Sequence, residues 1–592
     1  MDNTIRLVEK FISSDEIKYS RILKKIEDIY IENVQKKKTK FPDLGNSLGF
    51  VKPRYKRSSN CPIPWIDTEI WENFKSSPGF SYPKTIKSQS IRFTSSETVH
   101  TIGSEERRRF KRESEQSTSE CINHYTARSR QLSVAQRRSI GLSGIQAART
   151  LSIISEGNGR RHSPSTRPDR VNDCVMGTSK NTNSGFPFFK RKNSTLCIED
   201  TKIWIRNIFE NPSYYSIIKN PLFEMPTTLF YRVQPSVKEE ENTIEVKIRQ
   251  VWGIPQRIVA LEYYFFKDIL SSVYENNVFG SNPVYSSGLT NYEISLRIIN
   301  RLRNLKNNSM NNKNLYSMDY GKFDRTIPNY AIDIFYAICR GNLDLSEKDD
   351  KIYNMLRFYI KFTPFIHNDK LFVSQRGIPS GSYITNLLDT WWNLTLWNLS
   401  YNLRQYYTTN LSDFLNKEEF FEKRISEYLL NTNFIRFEDL GICGDDSIAY
   451  TDHFHIKILE NLCDSLGMKI TTNVITKEPY EDMYFLGRRW DWLNRPIQSD
   501  LYFIGHLALR TKFYNKDELE IDVSEDLEIT RMLSITLQFY NGMDFLERYF
   551  TNHVKLNQFL EGSSGFYLLK EWPITDGYQY INRIDAMSWT KF

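Results

Sequence analysis

The triplet Gly444-Asp445-Asp446 lies between the apolar runs Leu440-Gly441-Ile442-Cys443 and Ser447-Ile448-Ala449-Tyr450, and it limits the possible folds more than any other feature of the chain. Two adjacent carboxylates between strand-like flanks predict a hairpin whose turn carries negative charge, with the glycine giving the turn its backbone freedom. Upstream, the stretch from Leu315 to Met318 reads as a strand that ends at Asp319, and Asp324 follows five residues later. Pro328 suits the first turn of an amphipathic helix running from Tyr330 to Ile338. Asp319 is therefore expected at a strand end, facing Asp445 across a sheet. Converging carboxylates repel one another unless cations neutralise them, and an all-oxygen donor set suits magnesium or manganese. Taken singly, either motif also reads as a solvated acidic turn; their ordered pairing favours a shared site.

Between the two lies Arg376-Gly377-Ile378-Pro379-Ser380-Gly381-Ser382, a glycine-rich loop leading into a helical run that holds Thr385, Asn386, Asp389, Trp392 and Asn393. Alone, it would be a helix-opening turn capped by Ser380 or Ser382. In this position it reads as a flexible loop set against a ribose or a nucleic-acid backbone. Thr385 and Asp389 are four apart and share a helix face, where they could sense a sugar hydroxyl together with Asp324.

The order Asp-x4-Asp, Ser-Gly-x3-Thr, Gly-Asp-Asp resembles motifs A, B and C in the palm of viral RNA-dependent RNA polymerases. Asn181-Thr182-Asn183-Ser184-Gly185-Phe186-Pro187 is similar to motif G of that family, which borders the incoming template. Lys247-Ile248-Arg249-Gln250-Val251-Trp252-Gly253-Ile254-Pro255, followed by Glu262, is similar to the basic motif F. Leu466-Gly467 through Lys477 resembles motif D, and Phe485-Leu486-Gly487-Arg488-Arg489 resembles motif E. Val-Trp-Gly-x-Pro, Gly-x-Pro-Ser-Gly-Ser-Tyr and Phe-Leu-Gly narrow the likeness to partitiviruses, small double-stranded RNA viruses, with picobirnaviruses as near relatives. The resemblance covers about residues 180–490.

The resemblance implies an α+β, right-hand polymerase with fingers, an antiparallel-sheet palm and a helical thumb. Residues 1–103 would be an extension bridging fingers and thumb, 104–311 fingers, 312–490 palm with part of the fingers, and 491–592 thumb. Asp319 and Asp445 would be the principal ligands of Mg2+, for which Mn2+ can substitute, with Asp446 an auxiliary carboxylate. Lys247, Arg249 and Arg257 would hold the incoming nucleoside triphosphate. Asp324, with Ser380, Thr385 and Asp389, would sense the ribose. Lys477 would protonate the leaving pyrophosphate, its alternative being a solvated lysine. Ser184, Gly185, Pro187, Gly377 and Gly381 would line the RNA path. Arg488 and Arg489 would contact the product strand, with a surface ion pair as the alternative. Many viral polymerases carry asparagine where this chain has Asp389; partitivirus-like enzymes commonly show aspartate there. The implied activity is replication and transcription of a double-stranded RNA genome in the virion interior and host cytoplasm. The implied partners are an RNA template, its product duplex and a capsid protein.

Composition agrees with this reading. A chain of 592 residues exceeds one simple domain, and a net charge of +8 suits a polyanionic partner. The 7 cysteines show no paired metal-ligand spacing and predict reduced thiols, and no apolar run is long enough to span a bilayer. Ser13 and Glu16 form a capping box before a helical stripe from Tyr19 to Tyr30, and prolines punctuate the stretch from Pro42 to Pro83. Residues 104–171 use arginine almost to the exclusion of lysine, amid many serines. Three readings of that segment stay open: an arm gripping RNA phosphates, a disordered or loosely packed insertion, and a frameshift in the underlying gene. Ile529, Met532, Leu533, Thr536, Phe539 and Tyr540 trace one helical face up to Asn541-Gly542, and Phe545, Leu546, Tyr549 and Phe550 form a second. A reverse transcriptase is a weak rival, because Cys443-Gly444 stands where an aromatic residue usually precedes the paired aspartates. A non-catalytic RNA-binding protein is the rival of another class, against which the intact carboxylate set argues.

Overall fold

The computed structural model describes residues 8, 65–66, 85–88, 92–94, 104–129, 132, 134–154, 168–177, 184–188, 190, 192–211, 220–238, 243–279, 283–308, 313–367, 370–406, 439–475, 482–510, 532–533 and 535–550. In chain order the strands are β1 (Trp65–Ile66), β2 (Thr85–Ser88), β3 (Arg92–Thr94), β4 (Thr227–Lys238), β5 (Thr243–Gly253), β6 (Lys313–Gly321), β7 (Pro364–His367), β8 (Lys370–Val373), β9 (Leu440–Cys443), β10 (Asp446–Asp452), β11 (Lys469–Ile475), β12 (Met483–Phe485), β13 (Arg488–Trp490), β14 (Pro496–Ile497) and β15 (Leu509–Arg510).

The central sheet has four strands in the order β11-β6-β10-β9, all antiparallel. Tyr316, Met318 and Tyr320 of β6 are buried in the main core, whereas Ser317, Asp319 and Gly321 lie toward the other face and are less buried. Period-two alternation thus sends the strand's apolar residues to the core and Asp319 to the accessible face. Helix Thr385–Tyr406 runs through the core: Leu388, Trp391, Trp392 and Trp397 are fully buried, as expected of a helix apolar on nearly all sides. Helix His453–Ser465 packs beside it, and a chain of polar contacts joins the two through Ser400, His455 and Thr451.

A second, mixed sheet of six strands has the order β3-β2-β5-β4-β7-β8. Its long β4–β5 hairpin carries the basic motif, and helix Gln256–Phe279 follows at once. The β12–β13 hairpin turns on Leu486 (φ 57°) and Gly487 (φ 65°), the pair of positive φ values that a two-residue I′ turn requires.

Two N-terminal pieces reach far along the chain: β2 pairs in parallel with β5, and β1 pairs with β15. The capping box at Ser13, the stripe from Tyr19 to Tyr30, nearly all of the stretch from Pro42 to Pro83, and Ile529 lie outside the described residues. Met532, Leu533, Thr536 and Phe539 are buried, and helix Gly542–Phe550 buries Phe545 and Leu546. No helix of the described residues is long and apolar enough to cross a membrane.

Much of the arginine/serine-rich segment is ordered helix rather than a loose insertion. Helices Ser104–Thr126 and Val134–Thr150 bury Cys121, Tyr125, Ala147 and Ala148. The second helix is pinned to the core by Trp391, whose indole Nε1 donates to the Gly144 carbonyl at 2.8 Å. A Cβ on Gly144 would sit 2.6 Å from the Trp391 ring. Gly144→Val is therefore expected to destabilise the protein by about 1–3 kcal/mol, the usual cost of overpacking a well-filled core. The check is the midpoint of a urea unfolding curve; an unchanged midpoint would mean that the helix is not seated on Trp391.

Candidate active site

The carboxylates gather at one end of the central sheet. Cys443 pairs with Asp446 to close a two-residue loop of Gly444 and Asp445, and Gly444 has φ 63° at the position where a II′ hairpin needs glycine. The β6–β10 register pairs Met318 with Ser447. One step further sets Asp446, rather than the expected Asp445, opposite Asp319, with Asp445 beyond it in the turn. The core helix grips this turn from behind. Thr390 Oγ1 accepts the Gly444 N–H at 2.8 Å, and Asn393 Nδ2 donates to the carbonyls of Gly444 at 3.0 Å and Asp445 at 3.4 Å. Tyr320 in turn donates its hydroxyl to Asn393 Oδ1 at 3.2 Å, so one buried amide fixes the two carboxylate-bearing strands relative to each other.

The glycine-rich loop is held on both sides. Ser380 Oγ accepts the Trp252 N–H at 3.1 Å, and a Cβ on Gly381 would fall 2.1 Å from the Trp252 carbonyl, so this close approach to β5 requires glycine. Glu262, fully buried on helix Gln256–Phe279, receives the Ser382 hydroxyl on one oxygen and the Tyr383 N–H at 2.8 Å on the other. Burial pushes its carboxyl up to about 7. Thr385 turns its hydroxyl back to the Pro379 carbonyl at 2.8 Å. Asp324 meets the Tyr125 hydroxyl at 3.3 Å.

Lys247 and Arg249 are exposed on one face of β5, two residues apart. Arg249 lowers the pKa of Asp324, Asp445 and Asp446, which places its charge toward all three. Arg257 is engaged by Asp200, which takes its Nε and Nη2 at 2.7 and 2.6 Å, and Phe188 and Trp204 lie beside it. Ser184 and Gly185 dock against the end of β5, where the Gln256 N–H donates to the Ser184 carbonyl at 2.8 Å, with Pro187 buried just beyond. Arg488 donates to the Leu486 carbonyl at 3.1 Å and lowers the Asp446 pKa. Arg489 forms an ion pair with Asp482 at 3.1 Å. Lys477 lies outside the described residues. Thr390 and Tyr125 were not singled out by the sequence, and Asn393 was named in the helical run without a role. An Asn and a Thr on the same helix as Thr385 and Asp389 are the only local signal for Asn393 and Thr390, and Tyr125 has none.

The electrostatics show concentrated negative charge. Desolvation raises the Asp445 carboxyl to about 6, with Asp319 and Asp324 adding repulsion, and raises Asp446 to about 7, with Asp445 and Asp319 adding theirs. Asp389 is pushed well up by burial and then by Asp324 and Asp445, and its Oδ1 has no hydrogen-bond partner. Among the described residues no three His, Cys, Asp or Glu side chains stand close enough to hold an ion as arranged. Asp319, Asp445 and Asp446 are within electrostatic range of one another. Their oxygen-only chemistry and concentrated negative charge fit a hard divalent cation.

Residues 223–496 match the family described as viral RNA-dependent RNA polymerase. The chain is 27% identical over 314 residues to the RNA-directed RNA polymerase of Cryptosporidium parvum virus 1 (strain KSU-1), which covers 51% of this chain and 56% of that protein. The match thus spans little more than half the length of that relative. Two crystal structures of a human picobirnavirus RNA-dependent RNA polymerase share the fold. The full enzyme gives a TM-score of 0.55 at 13% identity, covering 98% of this chain and 91% of that one. Its insertion-loop deletion mutant gives 0.52 at 12%, covering 95% and 87%. The architecture is the α+β right-hand polymerase fold.

The raised carboxyls make a linked prediction. A folded-state pKa above the unfolded value means that the folded protein holds a proton which the unfolded chain releases, so stability falls as pH rises from about 4 to about 7. Asp446→Asn should therefore melt a few degrees higher than wild type at pH 8 without divalent ions, and equally at pH 4. Added Mg2+ at pH 8 should raise the wild-type melting temperature more than that of the variant. Thermal melts at the two pH values check this; an equal difference at both would mean that the carboxyl is not perturbed.

Proposed function

We propose that this protein is a viral RNA-directed RNA polymerase that replicates and transcribes a double-stranded RNA genome. The observation that carries the reading is the gathering of Asp319, Asp445 and Asp446 at one end of the central antiparallel sheet, with the cationic strand β5 facing them. Asp319 and Asp445, with Asp446 beside them, would hold Mg2+, or Mn2+ in its place. When bound, such ions supply charge neutralisation and acidify the attacking 3′ hydroxyl in an in-line displacement at the α-phosphorus.

The chain's own residues do the rest. Lys247 and Arg249 are aligned to hold the triphosphate, a task for paired cations. Arg257, engaged by Asp200, acts in this reading as a brace for the fingers. Asp324, Ser380, Thr385 and Asp389 surround the place for the ribose. Gly377 and Gly381 keep the loop slim enough to pass beneath a backbone, and Ser184, Gly185 and Pro187 border the template. Arg488 faces the product strand. Lys477 follows β11 in sequence and serves as the acid for the leaving pyrophosphate. Base pairing supplies sequence fidelity, so no base-reading side chains are needed. Residues 1–103 bridge fingers and thumb in this reading, consistent with the pairings of β1 and β2. In this reading the fingers span 104–311, the palm with part of the fingers 312–490 and the thumb 491–592. A capsid protein is the expected partner, and the virion interior and host cytoplasm are the expected sites of action.

The test is incorporation of labelled ribonucleotide on a defined single-stranded RNA template with Mg2+ or Mn2+. Wild type should give template-length product. Asp445→Asn should lose synthesis by at least about a hundredfold while still binding RNA, as expected when charge is removed from a two-metal site. Full synthesis by the variant would remove Asp445 from the reaction, and no synthesis by wild type under any divalent ion would remove the reading.

A further inference from the structure

Tyr125 belongs to the arginine/serine-rich segment, for which the polymerase motifs assign nothing. Helix Ser104–Thr126 nevertheless ends inside the site. The Gln375 N–H donates to the Tyr125 carbonyl at 2.8 Å, and Arg376 Nε donates to the His124 carbonyl at 2.6 Å, so the glycine-rich loop begins by clasping this helix end. The Tyr125 ring is 1% exposed and packs edge-on against Trp252 and Phe365, at centroid distances of 4.8 and 6.5 Å. Gly377 has φ 81°, and a Cβ there would come within 2.6 Å of the Tyr125 ring. Ring and loop therefore fit one another closely.

The hydroxyl's position has the greater consequence. It lies 3.0 Å from the Ile378 carbonyl and 3.3 Å from Asp324 Oδ2. A phenol has one proton to donate, so two acceptors, one on the loop and one on the sugar-sensing carboxylate, share it. The loop and Asp324 are also tied through the backbone, since the Ile378 N–H donates to the Asp324 carbonyl at 2.8 Å. We propose that Tyr125 is a positioning residue for sugar selection: its hydroxyl orients Asp324 against the glycine-rich loop, leaving the other carboxylate oxygen for the 2′ hydroxyl of the incoming nucleotide. The inference rests on the polymerase reading and adds a residue to it from outside the polymerase motifs.

The test compares kcat/KM for a ribonucleoside triphosphate and its 2′-deoxy counterpart on one RNA template. Tyr125→Phe keeps the packed ring and removes only the oxygen. It should cut discrimination between the two sugars by about fivefold or more, the value of one hydrogen bond, while synthesis with ribonucleotides persists. Thr126→Val is the control, because that hydroxyl donates only within its own helix, to the Ile122 carbonyl at 2.9 Å; its discrimination should match wild type. In an Asp324→Asn background, Tyr125→Phe should have no further effect on discrimination, because the tyrosine acts through that carboxylate. Unchanged discrimination in Tyr125→Phe overturns the proposal, as does an equal loss in Thr126→Val, which would assign the effect to the helix end. If both variants fail to fold, the helix end is structural and the proposal falls too. A wild-type protein that incorporates neither sugar would instead sink the polymerase reading.

Discussion

The site depends on the grip that helix Thr385–Tyr406 keeps on the turn at Gly444 and Asp445. A two-residue hairpin is narrow and leaves its own carbonyls without ladder partners. Asn393 takes up both, and Thr390 takes the glycine N–H. Both side chains are fully buried, so in an apolar surrounding these bonds have no water to compete with them. Because Asn393 also receives Tyr320, the strand bearing Asp319 and the turn bearing Asp445 share one anchor. The helix itself is fixed by its tryptophans: Trp391 reaches Gly144, and Trp392 reaches the Met468 sulfur at 3.5 Å. Core packing thus sets the position of the charges.

Holding so many acids together costs stability. Asp389, Asp445, Asp446 and Glu262 all have carboxyls raised above the ordinary range, each first by desolvation. Their environments differ. Glu262 is satisfied by Ser382 and Tyr383 of the glycine-rich loop and acts as a fixed post between that loop and helix Gln256–Phe279. Asp389 keeps an oxygen with no hydrogen-bond partner. A group in that state favours a ligand that brings a donor.

Much of this was legible in the sequence wherever the physics is local. Apolar flanks with Gly444 between two-residue neighbours predict the hairpin, and the alternation in β6 predicts the face of Asp319. Pairing distance limited the rest. The expectation that Asp319 faces Asp445 missed by one residue, because register is set by the whole β6–β10 ladder rather than by the turn. Arg257 read as a phosphate ligand, but its partner Asp200 is 57 residues away and no local pattern connects them. Tyr125 meets Asp324 across 199 residues, from a segment whose composition suggested loose packing. Helical periodicity there is masked by arginines and serines, so the buried Cys121 and Tyr125 do not stand out.

In the proposed function, the carboxylates at the turn form a divalent-cation site that becomes complete with nucleic acid and nucleotide. Manganese is visible by anomalous scattering, so a crystal structure with template, nucleotide and Mn2+ is the most direct measurement. Two manganese peaks about 3.5–4 Å apart are expected, held by Asp319 and Asp445 with Asp446 alongside. Ordered nucleotide with no manganese at these carboxylates, in a protein that still synthesises RNA, would contradict that site.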